Sequence, residues 1–153
     1  MPLRTVPGES DTHIPQMVHG GDAIQPDSPP GRIFNRRDVI AEGWYWLLQS
    51  RQLKRGRVKA VSIAGHELAV YRGQDGAVAA LDAYCPHMGS HLAEGRVEGN
   101  QLRCFFHNWR YDAEGQCTDI PCATADYPIK VSTRCWQVQE KYNLIWIWLG
   151  SGM

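Results

Sequence analysis

Residues 85–111 read CPHMGSHLAEGRVEGNQLRCFFHNWRY, and the rest of the chain is organised around this stretch. It holds two short Cys/His pairs, Cys85-Pro86-His87 and Cys104-Phe105-Phe106-His107, with sixteen residues between His87 and Cys104. Each pair offers one thiolate and one imidazole. Two Cys and two His suit either a tetrahedral zinc ion or a [2Fe–2S] cluster in which two His replace two Cys on one iron. Zinc-finger pairs commonly put about two to four residues between sulfurs, or about three to five between imidazoles. Here both pairs are mixed, with one residue between ligands in the first and two in the second. Mixed pairs suit two metals, because each loop can give its Cys to one iron and its His to the other. A zinc-stabilised binding module without a redox role is the alternative from another class.

The pattern C-x-H, a spacer of this length, then C-x-x-H resembles the Rieske iron–sulfur family, over roughly residues 43–149. That resemblance implies one [2Fe–2S] cluster, with Cys85 and Cys104 on the all-sulfur iron and His87 and His107 on the outer iron. It also implies an all-β fold, a small antiparallel barrel or sandwich whose two loops form a cluster-binding subdomain. Gly89, Trp109, Tyr111 and Pro121 are the implied supporting residues around the ligands. Rieske proteins of respiratory complexes carry an extra Cys in each loop; Ser90 and Phe106 stand at those positions, so that disulfide is not expected. Those proteins also carry a Ser two residues after the second His, where this chain has Trp109. One donor fewer to the cluster sulfurs implies a lower reduction potential. The pattern His107-x-Trp109-x-Tyr111-Asp112 resembles the oxygenase and ferredoxin branch. Asn108 replaces the Gly usual there, and Asn is the non-glycine residue that best tolerates a left-handed backbone. Met88 replaces a common Arg, which alters the loop surface offered to a partner.

With 153 residues the chain has the length of one domain, and its formal net charge of zero gives no support to nucleic acid or an anionic membrane as partner. No apolar run approaches a membrane span. The start lacks a secretory pattern, and Arg36-Arg37 is followed by Asp38 rather than by an apolar segment. Five cysteines, two of them assigned, leave an odd three; no disulfide framework is expected, and a reducing cytoplasm fits best. Residues 1–31 contain no aromatic residue and six of the nine prolines, which predicts a flexible leader before a domain over 32–150 and a tail over 151–153.

Within the domain, residues 44–48 (WYWLL) read as a strand buried on both faces. Arg51, Lys54, Arg55, Arg57 and Lys59 read as a solvated edge. Strands are predicted at 58–63, 67–71, 77–83, 127–131, 135–140 and 144–149, with turns at Gly65, Gly76, Gly99 and Gly115. Pairing of the first and last strands would close a sheet, with Trp44, Trp46, Trp146 and Trp148 as core. His66 and His91 read as loop histidines, and Cys122 as a small buried side chain beside Pro121.

No His follows His107, so a mononuclear iron site of two His and one carboxylate is not encoded here. No glycine-rich dinucleotide fingerprint is present. The resemblance therefore implies one-electron transfer. A flavin-dependent or ferredoxin reductase would be the donor, and an oxygenase mononuclear-iron domain the acceptor. The runs GWYWLL and LIWIWLG resemble the N-terminal part of an oxygenase large subunit, sterol- and steroid-acting ones among them; an independent Rieske ferredoxin is the other setting. Exposed imidazoles also imply a reduction potential that falls as pH rises into the alkaline range, since a ring nitrogen loses its proton more readily while the metal charge is higher.

Overall fold

A computed structural model of the chain describes residues 40–124 and 128–150. The leader with His13, His19 and Arg36-Arg37, the residue Tyr127 and the tail at 151–153 lie outside the described residues. In chain order the strands are β1 (Gly43–Gln49), β2 (Arg57–Ile63), β3 (His66–Arg72), β4 (Val78–Asp82), β5 (Arg96–Glu98), β6 (Gln101–Arg103), β7 (Arg110–Tyr111), β8 (Cys117–Asp119), β9 (Cys135–Trp136), β10 (Val138–Lys141) and β11 (Leu144–Leu149). Single 3-10 turns at Ser50–Gln52 and Leu92–Glu94 are the helical elements among the described residues. The fold is all-β. No helix among the described residues is long and apolar enough to cross a membrane.

Three antiparallel sheets result, in the orders β1-β11-β10, β2-β3-β4-β9 and β5-β6-β7-β8. The middle sheet organises the other two. Side chains alternate along a strand, so β3 sends Leu68 and Val70 to one face and Ala69 and Tyr71 to the other, and all four are buried. Leu68 and Val70 join Leu48, Ala80, Trp136, Ile145, Ile147 and Leu149 in one core. Ala69 and Tyr71 join Leu81, Leu92, Leu102, Tyr111 and the two motif cysteines in the second. The cluster loops are thereby rooted in a hydrophobic core rather than hung from the surface.

Several expectations are met in this frame. β1 pairs with β11 with Trp44 opposite Trp148 and Trp46 opposite Trp146, so first and last strands do close a sheet. The β2–β3 hairpin turns through Ala64 and Gly65, both at positive φ as a tight two-residue hairpin demands.

Other expectations are corrected. β1 is not buried on both faces; among the described strands β3 and β4 are. Trp44 and Trp46 are 40% and 56% exposed, and Trp146 and Trp148 are half-buried. The reason is period two: Ile145, Ile147 and Leu149 take the inward positions of β11 and leave its tryptophans outside. The expected strand at 135–140 is two strands in different sheets, β9 against β4 and β10 against β11, with Gln137 between them. Residues 128–131 are irregular, although the Val131 carbonyl accepts the Cys117 amide at 2.9 Å. Cys122 is exposed, not buried, because the turn after β8 carries it away from the core.

Candidate metal centre

Local hydrogen bonds shape both loops before any metal is considered. In the first, the Cys85 amide donates to the Ser90 carbonyl (2.9 Å) and the Gly89 amide to the Cys85 carbonyl (2.8 Å). Gly89 holds φ +71, and no described atom lies within 4 Å of where its Cβ would point. Conformation, not crowding by described atoms, is therefore what glycine supplies there. In the second loop the Cys104 amide donates to the Trp109 carbonyl (2.9 Å), and Asn108 holds φ 62, the left-handed conformation expected of it.

The four motif residues form two close pairs, sulfur with sulfur and imidazole with imidazole. Cys85 and Cys104 are each 2% exposed and close enough to interact with one another, at the inner end of the loops. His87 and His107 lie at the outer end, the first exposed and the second partly so, with ring centroids 4.6 Å apart. Among the described residues no three His, Cys, Asp or Glu side chains form the shell of a single metal ion. The arrangement is a sulfur pair and an imidazole pair, as a binuclear cluster with two protein ligands per iron requires.

Hydroxyls and amides converge on the sulfurs. Tyr111 Oη lies 3.1 Å from Cys85 Sγ, and Ser90 Oγ lies 3.0 Å from Cys104 Sγ. A thiolate can only accept, so with both cysteines ionised the two hydroxyls are the donors. Burial pushes the Cys85 thiol up, and the Tyr111 hydroxyl and His87 amide only partly offset it. Burial acts on Cys104 as well, but there the Ser90 hydroxyl and the amides of Phe106 and His107 outweigh it and draw the thiol down. Burial, and then its bond to Cys85, hold the Tyr111 hydroxyl in its protonated form. This pocket fits an anionic iron–sulfur core: two buried sulfurs, each with donors, and no carboxylate hydrogen-bonded to them among the described residues.

The supporting residues divide. Trp109 stacks flat on His87, with centroids 4.3 Å apart and an interplanar angle of 8°, and Phe106 packs on His107 at 4.0 Å. Tyr111 is fully buried beneath Cys85. Pro121 is exposed in the turn after β8; it is Asp119, two residues earlier, that reaches the loops, through Arg103 at 3.3 Å. His91 has a local structural part: its Nδ1 accepts the Ala93 amide at 3.1 Å and caps the 3-10 turn. His66 packs its ring on Trp136. Ser90 as a sulfur donor and Arg103 as a partner of the second loop had no signal in the motif. Trp109 brings no hydroxyl to the site, as expected, while Ser90 places one beside Cys104 from the opposite loop.

The Rieske [2Fe–2S] domain model matches residues 43–138, and the chain belongs to that family. The family assigns it one Rieske-type [2Fe–2S] cluster. It is similar to cholesterol 7-desaturase nvd of Bombyx mori, 39% identical over 138 residues that cover 89% of this chain and 30% of that protein. It is also similar to the oxygenase component of 3-ketosteroid-9-alpha-monooxygenase of Rhodococcus rhodochrous, 40% identical over 112 residues, 73% of this chain and 29% of that one. Among solved structures, apo dicamba monooxygenase superposes with a TM-score of 0.67 at 34% identity, covering 71% of this chain and 34% of that chain. The chain thus spans about a third of the length of the curated relatives it matches.

Proposed function

We propose that Cys85 and Cys104 bind the inner iron, that His87 and His107 bind the outer iron, and that the domain carries single electrons for an oxygenase system. The observation that carries this is the sorting of the ligands, with the sulfurs buried under hydroxyl and amide donors and the imidazoles facing solvent. The cluster, when bound, supplies a one-electron couple. The chain's own part is to hold the sulfurs away from water and to offer donors that stabilise added negative charge. The imidazole edges are left within reach of a partner, where a ring nitrogen can donate to a carboxylate.

A flavin-dependent or ferredoxin-type reductase would supply the electron, and a mononuclear-iron domain of the kind oxygenases carry would receive it. The names of the relatives support a sterol or steroid as the substrate of that system. Five cysteines free of disulfides support a reducing compartment, the cytoplasm. The test is a low-temperature EPR spectrum of the dithionite-reduced protein, with iron and acid-labile sulfide analysis. A rhombic signal of mixed His/Cys ligation, lost in Cys104→Ser, is the expected result. Zinc alone, with no chromophore after aerobic purification, would overturn the reading.

A further inference from the structure

Arg103 ends β6 and directly precedes the ligand-bearing Cys104. Its side chain is 11% exposed, and its guanidinium reaches acceptors on three separate segments of the chain, two carboxylates and one backbone carbonyl. Nε donates to Glu98 Oε2 (2.7 Å) in the β5–β6 hairpin, and one terminal nitrogen donates to Asp119 Oδ2 (3.3 Å) at the end of β8. The other terminal nitrogen donates to the backbone carbonyl of Asn108 (2.8 Å). Asn108 is the left-handed residue between His107 and Trp109, in a conformation that costs a non-glycine residue energy unless its surroundings hold it. Its carbonyl belongs to the peptide that leads into Trp109, the residue stacked on His87. One fixed fork therefore constrains the backbone beside one imidazole and the ring that orients the other.

We propose that Arg103 is the positioning residue of the imidazole pair: a buried guanidinium, anchored by Glu98 and Asp119, that pins the Asn108 peptide and through it the orientations of His107 and His87. Arg110 provides the contrast. It approaches the same two carboxylates, at 3.6 and 3.3 Å, but makes no contact with a loop carbonyl among the described residues. A lysine at position 103 would keep one ion pair yet lack the geometry to hold three acceptors at once.

The inference rests on ligation by His87 and His107, so the experiment reads that first. The full chain is loaded with iron and sulfide, and wild type, Arg103→Met, Arg103→Lys, Arg110→Gln, Asn108→Gly and the double variant Arg103→Met/Asn108→Gly are compared. Readouts are the EPR line shape, the reduction potential, release of iron to a chelator and the melting temperature. Both Arg103 variants should broaden the rhombic lines and shift the potential, with iron released about tenfold faster, the factor for one lost charge-assisted hydrogen bond. Adding Asn108→Gly should restore the line shape, because glycine holds the left-handed turn unaided. Arg110→Gln should lower the melting temperature and leave the spectrum unchanged. If Arg103→Lys and Arg103→Met lower only the melting temperature, or if Arg110→Gln broadens the lines equally, the positioning role is wrong. Absence of the rhombic signal in wild type would instead overturn the ligand assignment itself.

Discussion

Ser90 shows how much a single hydroxyl can matter at this site. It lies 3.0 Å from Cys104 Sγ and contributes to drawing that thiol down. Hydrogen bonds to a cluster sulfur strengthen when an electron is added, so they raise the potential. Ser90→Ala should therefore lower the reduction potential; a differential bond energy of about 1 kcal/mol corresponds to roughly 40 mV for one electron. Protein-film voltammetry measures it, and an unmoved potential would show that the hydroxyl turns elsewhere in the loaded protein. The four motif residues stood out as candidates by their spacing, because metal ligation restricts residue type and separation within a loop. Ser90 did not, since its partner is fourteen positions away and meets it only when two loops fold face to face.

At the scale of elements, the two cluster loops are registered against one another by close backbone packing. Gly95 follows the Leu92–Glu94 turn, and a Cβ built there would collide with the backbone carbonyl of Arg103. Gly95→Ala must push β6 or the turn aside, and should cost about 2–3 kcal/mol in urea unfolding, in the range of overpacking. The closing sheet makes a second contrast. Trp46 is 56% exposed while Ile147 is fully buried, so Trp46→Ser should change stability by less than about 1 kcal/mol, and Ile147→Ala should cost about 3 kcal/mol. The order would be reversed if the tryptophans were the core, as their size and spacing suggest when read without the structure. Strand positions and the β1–β11 pairing were legible from apolar runs between turn residues. Which face turned inward was not, because β11 is apolar on both sides and its period of two assigns Trp or Ile to the core equally well.

At the scale of the whole molecule, a buried cation ties two of the three sheets together. Arg72 on β3 forms a bidentate pair with Glu140 on β10, at 2.7 and 2.9 Å, and donates to the carbonyls of Leu53 and Gly76, both at 2.8 Å. Arg72→Met leaves those acceptors unpaired and should cost about 3 kcal/mol, the low end for a broken buried pair because Glu140 is partly exposed. The Arg72 guanidinium holds the Glu140 carboxyl below its ordinary range. A depressed folded-state value means that stability from this pair is complete above the unfolded-state value and is lost as pH falls through the folded-state one. Urea midpoints should thus decline on acidification, and Glu140→Gln should flatten that decline while lowering stability at neutral pH. The sequence by itself marked the candidate ligands, the all-β class and the meeting of the chain's first and last strands, because each is written in residue type and local spacing. Only the tertiary structure decided that β3 serves two cores, that the tryptophans face outward, and that Ser90, Arg103 and Arg72 join segments distant in the chain. Those are contacts between elements, fixed by register and by which surfaces water is excluded from, and no local pattern encodes them.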